Sequence, residues 1–422
     1  MSLLPQDESA DLIIGRDREY LLPVYPRNAI AMERGEGVYL FDTSGNRYLD
    51  LMTGLGVNAL GHAHPRMVEV FRDQASKLVH LSHHYSQRYA GELAEKLCWL
   101  TGMGGVFYST GGSEAVEGAI KLARVWAKDN FDAGKKGGKA TIIALEGSYH
   151  GRTYGSLSVT GQEKYREGFE PLVPGVRFVE RNNLEQLRAA VDDTACCILL
   201  EILQGEGGVL SCSKEFLAEA RRLADKHHAL LVLDEIQTGL GRLGRWFGYE
   251  GTGIEPDLLV LGKPVGGGIP LSILLVRKEY FTAFGPAKHG STLGGSPLAC
   301  RLGLEFLAVV EEEGLIARIR DTGGYLQEGL RSLVSEFDSA VEARGEGALQ
   351  GLVLGVPGRQ VVEAGHENGI MLNCVQGHIL RFLPSFLLER KHVDEAMSAL
   401  RKVLQQSDTA KAETITAAAT AR

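Results

Sequence analysis

Apolar residues recur along the chain with two different periods. Helical spacing is predicted over roughly 66–78, 87–101, 113–131, 184–191, 213–228 and 296–313, and short unbroken apolar runs over roughly 105–109, 140–145, 196–200, 229–233, 257–261 and 272–276. Every third or fourth side chain of a helix shares a face, whereas a strand covered on both faces has no solvent side and reads as a continuous apolar run. Helix and strand in regular alternation, with strands of that kind, predict an α/β fold with a mostly parallel sheet covered by helices. After Gly314 the pattern changes to a charged helix, Leu315 to Glu336, then strand-like pieces around 350–355, 370–373 and 378–383, and a last helix with Val393, Met397, Leu400 and Leu404 on one side. Upstream, an arm runs to about Ile30, and Gly37 to Asp50 alternates around the turn signal Asp42 to Asn46. The expected organisation is an arm and hairpin over 1–60 that joins a small α+β domain, a large domain over 61–313, the rest of the small domain over 314–406, and a frayed Ala/Thr-rich tail over 407–422.

Composition narrows the function without choosing it. The 422 residues are 44% hydrophobic and 23% charged, as in an ordinary globular protein, and the length suits two structural domains. A net charge of −8 argues against nucleic acid as the main partner, because phosphate backbones call for a basic surface. The start Met1 to Ser9 lacks the basic and apolar segments of a signal peptide, and no apolar run approaches the roughly 18 residues of a membrane span, so no membrane partner and a cytoplasmic location are expected. No two of the six cysteines form a CxxC pair, and Cys196 and Cys197 lie within an apolar run, where buried reduced thiols are expected. His62 and His64 are two apart with nothing nearby to complete a ligand set, so no metal is expected.

Three constellations carry candidate chemistry. In Tyr108 to Glu117 a strand ends in Gly111 and Gly112 and a helix begins at Ser113; free N–H groups there, approachable past two glycines, form a phosphate cup, or else a plain capped turn. That cup lacks the GxxxxGK[ST] order of a nucleoside-triphosphate loop. In Ala144 to Tyr154 a strand end leads to Tyr149, able to stack on a planar ligand or simply to pack, to His150, which supports that stacking or serves structure, and to Arg152, able to hold a carboxylate by a bidentate fork. The third is a pair. Asp234 ends one apolar run and Lys263 follows the next, 29 residues on, in the glycine-rich turn Gly262 to Gly268. A carboxylate keeps a heteroaromatic nitrogen protonated and a lysine forms an imine with an aldehyde, which are the two protein groups that make pyridoxal 5′-phosphate an electron sink. A free lysine is neutral only about once in 2,500 molecules at pH 7, so Lys263 needs imine formation or desolvation to stay deprotonated.

Leu233-Asp-Glu-Ile-Gln-Thr-Gly-Leu-Gly-Arg242, Gly262-Lys-Pro-Val-Gly-Gly-Gly268, Gln204-Gly-Glu-Gly-Gly208, His289 to Pro297 and Gly61-His-Ala-His-Pro65 resemble, in order, the motifs of class III aminotransferases. With Arg381-Phe-Leu-Pro-Ser385, the Gln-Gly-Glu-Gly-Gly motif is most similar to the acetylornithine/ornithine branch. The resemblance implies fold type I, with a mostly parallel sheet of the seven-stranded type, the cofactor pyridoxal phosphate, a place in amino-acid metabolism, and ping-pong transamination between an amino donor and 2-oxoglutarate. It further implies that Lys263 is the Schiff-base lysine, that Asp234 partners the pyridine nitrogen, that Gln237 bonds the ring hydroxyl, and that Tyr149 stacks on the ring. Gly112 and Ser113 would bind phosphate, joined by Thr292 of a second subunit in a homodimer with a shared site. Arg381 would hold the α-carboxylate, Glu206 would pair with Arg381 when the substrate presents an amine, and Arg152 would take a second carboxylate. The donors that remain open are acetylornithine, ornithine, lysine, diaminobutyrate and 4-aminobutyrate, and a mutase or racemase on the same frame is the alternative reaction. The chain departs from the family pattern at Thr110 to Ser113, where Asn-Ser-Gly-Ala is commoner, at Val116 in place of a frequent Asn, and at Ile202 in place of a proline.

Overall fold

A computed structural model describes residues 8–131 and 138–420. Seven strands form the central sheet in the order Gly105–Ser109, Ser272–Val276, Leu258–Leu261, Leu230–Asp234, Ala195–Leu200, Thr141–Leu145 and Val176–Val179. Ser272–Val276 runs antiparallel to both neighbours and the other pairings are parallel. The strand character follows from burial on both faces. Leu231, Leu233, Leu259 and Leu261 enter one apolar cluster, and Leu230, Val232, Leu258 and Val260 enter another on the opposite side. Ala115, Val116 and Ala119 of the helix Gly112–Phe131 cover the second face; Leu93 and Leu97 of Arg88–Thr101, with residues of Lys214–Lys226 and Pro297–Glu312, cover the first.

The mostly parallel α/β architecture expected from the alternation is the one observed. Val176–Val179, at the sheet edge, packs Val176 and Phe178 against one cluster and Val179 into the other, but Arg177 interrupts it, so no continuous apolar run marks this strand. Cys196 and Cys197 are buried, and all six cysteines are free.

After Gly314, the helix Leu315–Glu336 packs on a four-stranded sheet ordered Ala340–Glu346, Leu349–Leu354, Ile379–Phe382 and Asn373–Val375. The N-terminal hairpin is stitched to this segment, because Ile370–Met371 pairs in parallel with Arg47–Asp50, and Leu49 and Leu51 share a core with Leu326 and Leu400. Asp42 accepts hydrogen bonds from the N–H groups of Ser44 and Asn46 at 2.9 and 2.8 Å, which pins the hairpin turn. Two stretches differ from expectation in local structure. Ala10–Tyr20, within the arm, is a helix capped by Ser9 that buries no residue, so it has no apolar stripe for a pattern search to find. The last helix, Arg390–Thr420, reaches into the stretch expected to fray, whose last two residues lie outside the described residues. Among the described residues, no helix is long and apolar enough to cross a membrane.

Candidate active site

The strands Leu230–Asp234 and Leu258–Leu261 lie side by side and end together, so their carboxyl ends open into one cavity of about 580 Å³. Lys263, Asp234, Gln237, Glu206, Tyr149, His150 and the turn Thr110 to Ser113 line it. A smaller, more apolar cavity of about 390 Å³ lies behind Val57 and Ile269, which both cavities share, and holds neither the lysine nor the aspartate.

Lys263 opens a short turn, Lys263–Gly266, with Pro264 next to it, and adopts φ of +46°. Few residues other than glycine accept that conformation, and such strain is retained where surrounding structure over-determines it. Its ammonium is pushed below the usual lysine range, first by burial and then by the charge of Arg381, against the opposing pull of Glu206, Asp234 and Glu201. The site thus makes the neutral amine more accessible than it is in water.

Asp234 is 4% exposed, and its Oδ2 lies 2.8 Å from Nδ1 of His150, while Oδ1 accepts from the N–H of Ile236 at 3.0 Å. A carboxylate only accepts, so the proton of this contact belongs on Nδ1 of His150, leaving the buried Nε2 without a partner among the described residues. The structure therefore brings His150 to the carboxylate of Asp234. Tyr149 keeps its ring edge-on to Tyr165, with centroids 5.9 Å apart, and its N–H donates to Glu201 at 2.9 Å.

At the cup, Glu114 turns back so that its Oε2 accepts from the N–H of Thr110 at 2.6 Å and that of Gly111 at 3.4 Å. The free donors expected at Gly111, Gly112 and Ser113 accordingly begin at Gly112, whose N–H and that of Ser113 belong to the first helical turn and have no intrahelical acceptor. Ser272 Oγ donates to the Gly111 carbonyl at 2.8 Å and fixes the turn from below. A Cβ on Gly112 would meet Ile236 at 2.7 Å, and one on Gly111 would meet open space, so the missing serine there costs no packing. Ser113 Oγ accepts from the N–H of Arg152 at 3.2 Å, which leaves its own proton free to donate. Gly151, at φ of +125°, lets the two loops touch, because a Cβ there would lie 2.1 Å from that oxygen.

The other end of the cavity is ionic. Arg381 is 1% exposed; its Nη1 pairs with Glu206 at 2.7 Å and donates to Gln237 at 3.2 Å, while Nε and Nη2 donate to Asn373 at 3.1 and 2.8 Å. Gln237 is held close to the chain at Gly205, where a Cβ would meet its Oε1 at 1.7 Å. Arg152 is exposed and lays its guanidinium over the ring of Tyr165 at 3.9 Å. Thr292 is exposed and lies outside the lining of its own chain's cavity.

Glu201 was missed as a site residue. Leu200 pairs with Leu233 in the sheet, so the next residues, Glu201 and Asp234, end adjacent strands side by side. Burial and the charge of Asp234 raise the Glu201 carboxyl well above the usual range. The available signal was an acidic residue directly after a wholly buried strand, the same signal that marked Asp234.

These groups suit pyridoxal phosphate. Two first-turn N–H groups and the hydroxyl proton of Ser113 can bind an anion, a histidine-supported carboxylate can meet a ring nitrogen, and the Lys263 amine, with no hydrogen-bond partner among the described residues, lines the cavity between them.

Comparison with known proteins agrees. The family described as Aminotransferase class-III matches residues 23–404. The acetylornithine aminotransferase of Aquifex aeolicus (strain VF5) is 41% identical over 388 residues, covering 91% of this chain and all of that one (100%). The crystal structure of the ornithine aminotransferase from Toxoplasma gondii ME49 superposes with a TM-score of 0.91 at 29% identity, covering 95% of this chain and 96% of that one. A second structure of the Toxoplasma gondii enzyme, at TM-score 0.90 and 29% identity over 94% of each chain, has PLP at partial occupancy in its active site.

Proposed function

The chain belongs to the class-III aminotransferases, enzymes of fold type I that use pyridoxal phosphate, and from that premise we propose that it moves the distal amino group of an acetylornithine- or ornithine-like donor to 2-oxoglutarate by a ping-pong sequence. The observation that carries this reading is the Arg381–Glu206 pair, 2.7 Å apart at the edge of a cavity that also holds Lys263 and Asp234.

When bound, the cofactor supplies an aldehyde that condenses with amines and a ring that accepts charge from the substrate carbon. Gly112 and Ser113 would hold its phosphate, Asp234 its ring nitrogen, Gln237 its ring hydroxyl and Tyr149 its face, with Thr292 completing the phosphate site from the partner in a homodimer. Asp234 would keep a proton at that nitrogen, and His150, bonded to Oδ2, holds the carboxylate in place. Lys263, its amine held toward the neutral form, takes the proton from the substrate carbon at Nζ and returns it as general acid.

Recognition divides between two arginines. For a donor reacting through its distal amine, Glu206 stays on Arg381 and neutralises it, and Arg152, oriented by Tyr165, takes the carboxylate at the far end. For glutamate or 2-oxoglutarate, the α-carboxylate displaces Glu206 and makes the same contact with Nη1 of Arg381. One site can thus accept two substrates with opposite charge near the reacting carbon. The free cysteines suit a reducing compartment and support a cytoplasmic location.

The deciding experiment is a donor screen with the purified holoenzyme and 2-oxoglutarate, following glutamate formation. Acetylornithine or ornithine should lead the series. Conversion of a donor without glutamate formation would move the reaction to the mutase or racemase class.

A further inference from the structure

Both members of the Arg381–Glu206 pair are tied to one hairpin, and we infer that Gln376 at its tip is a positioning residue that holds Glu206 closed over Arg381 and so sets the balance between the two half-reactions. This rests on the reading of that pair given above.

The hairpin joins Asn373–Val375 to Ile379–Phe382, with Asn373 directly opposite Arg381. Asn373 takes one edge of the guanidinium through Nε and Nη2, which leaves Nη1 for Glu206. Three residues further on, the side-chain amide of Gln376 donates to the backbone carbonyl of Glu206 at 2.6 Å and to Oε1 of Gln162 at 2.8 Å. Gln162 itself donates to the Gly147 carbonyl at 3.3 Å, two residues before Tyr149. One proton of this amide thus goes to the loop that carries Glu206, and the other goes to Gln162, which is tied in turn to the loop that carries Tyr149.

Glu206 depends on such a tie. It sits between the two-residue strands Leu203–Gln204 and Leu210–Ser211, flanked by Gly205, Gly207 and Gly208, so its own loop contributes little stiffness. The only other side-chain tie to this loop's backbone among the described residues comes from Arg344, which donates to the Gly208 carbonyl at 2.8 Å. Gln376 has φ of +52°, a conformation in which asparagine or glycine is the usual choice. An asparagine would be one methylene shorter, and the longer side chain supplies the reach to Glu206 that offsets the backbone strain. Because Gln376 touches the backbone of Glu206 and not its carboxylate, the side chain remains free to leave Arg381 while its anchor stays put.

The test uses holoenzyme and follows each half-reaction separately by rapid-mixing absorbance, with N-acetylornithine as donor and 2-oxoglutarate as acceptor. In Gln376→Ala the efficiency of the donor half-reaction should fall about fivefold, the effect of losing one net hydrogen bond. The 2-oxoglutarate half-reaction should hold or improve, and the unreactive dicarboxylate glutarate should bind about fivefold more tightly, since a looser Glu206 competes less for Arg381. Gln376→Glu keeps the size but removes both donors, so it should behave like the alanine variant. Equal loss in both half-reactions, no change in either, or wild-type behaviour of Gln376→Glu would each overturn the inference. Glu206→Gln separates the two levels. If it leaves the ratio of half-reactions unchanged, the reading of the Arg381–Glu206 pair falls and this inference with it; if it shifts the ratio and the Gln376 variants do not, only the role of Gln376 falls.

Discussion

At the inner end of the cavity, Asp234 and Glu201 stand at the ends of strands buried along their whole length, with Lys263 just past the next strand, whereas at the outer end Glu206 and Arg152 stand on loops, beside Tyr165 in a short 3-10 turn and Arg381 on the strand Ile379–Phe382. The two ends also bond differently. Asp234 is 4% exposed and fixed by His150 and a backbone N–H, while the Glu206 side chain is 21% exposed and held by one ion pair that a substrate carboxylate can replace. Rigid strand ends suit groups that must do one thing in both half-reactions, and loops suit groups that must change partner. The chemistry is invariant and the recognition is exchangeable, and the molecule assigns them to elements accordingly.

The largest expected effect tests the inner end. Lys263→Ala should abolish the visible absorption band of the cofactor-bound protein and lower turnover by about 10⁴-fold or more, since it removes both the covalent anchor and the proton carrier. A variant that keeps the band would move the lysine role to another residue and undo the contrast. Asp234→Ala should leave cofactor binding partly intact while turnover falls about 10³-fold, the scale of losing one preorganised electrostatic contact. Unchanged turnover would mean that another group protonates the ring nitrogen.

At the outer end the effects should be smaller and should depend on the substrate. Arg381→Ala removes a charged donor to the α-carboxylate, so kcat/KM for glutamate should fall about 100-fold, with less loss for a donor reacting through its distal amine. A flat response to glutamate would place carboxylate recognition elsewhere. Equal losses for both substrates would show that Arg381 acts as a structural cation, for which its burial and its bonds to Asn373 give a ready route.

How far each end was legible in the sequence follows from the same difference. Asp234 and Lys263 announce themselves because a polar residue closing an apolar run is a local signal, and the run itself places them on one sheet edge. The contacts that tune them are not local. His150 meets Asp234 across 84 residues, Arg381 meets Gln237 across 144, and no periodicity encodes such a meeting. Arg242 shows the limit best. In the sequence it only closes a motif, yet it is fully buried and donates to carbonyls of Gly56, Ala348 and Pro384, tying three segments together. The cup was readable from its glycines, but the capture of Thr110 and Gly111 by Glu114 depends on a side chain turning back by one helical turn.

The smallest expected effect is the sharpest probe of the inner end, and it concerns Glu201. Two acids at adjacent strand ends cannot both ionise cheaply in a buried site, and here Asp234 has His150 for company while Glu201 has burial and a like charge. Burial and the charge of Asp234 favour the protonated form of Glu201 over the opposing pull of the Tyr149 N–H and Lys263, so a neutral isostere should replace it almost silently. Glu201→Gln should leave kcat within about twofold of wild type, because the charge state that Asp234 experiences is unchanged. The stability of the protein should respond more than its activity. A carboxyl whose folded pKa is raised binds more protons folded than unfolded, so stability falls as pH rises from the ordinary glutamate range through the raised value. Thermal unfolding from pH 5 to 9 should accordingly show a flatter pH dependence in Glu201→Gln, with the variant gaining on wild type toward the alkaline end. A large loss of turnover with an unchanged stability profile would mean that Glu201 is ionised beside Asp234, and the inner end would then hold an exchangeable charge of its own.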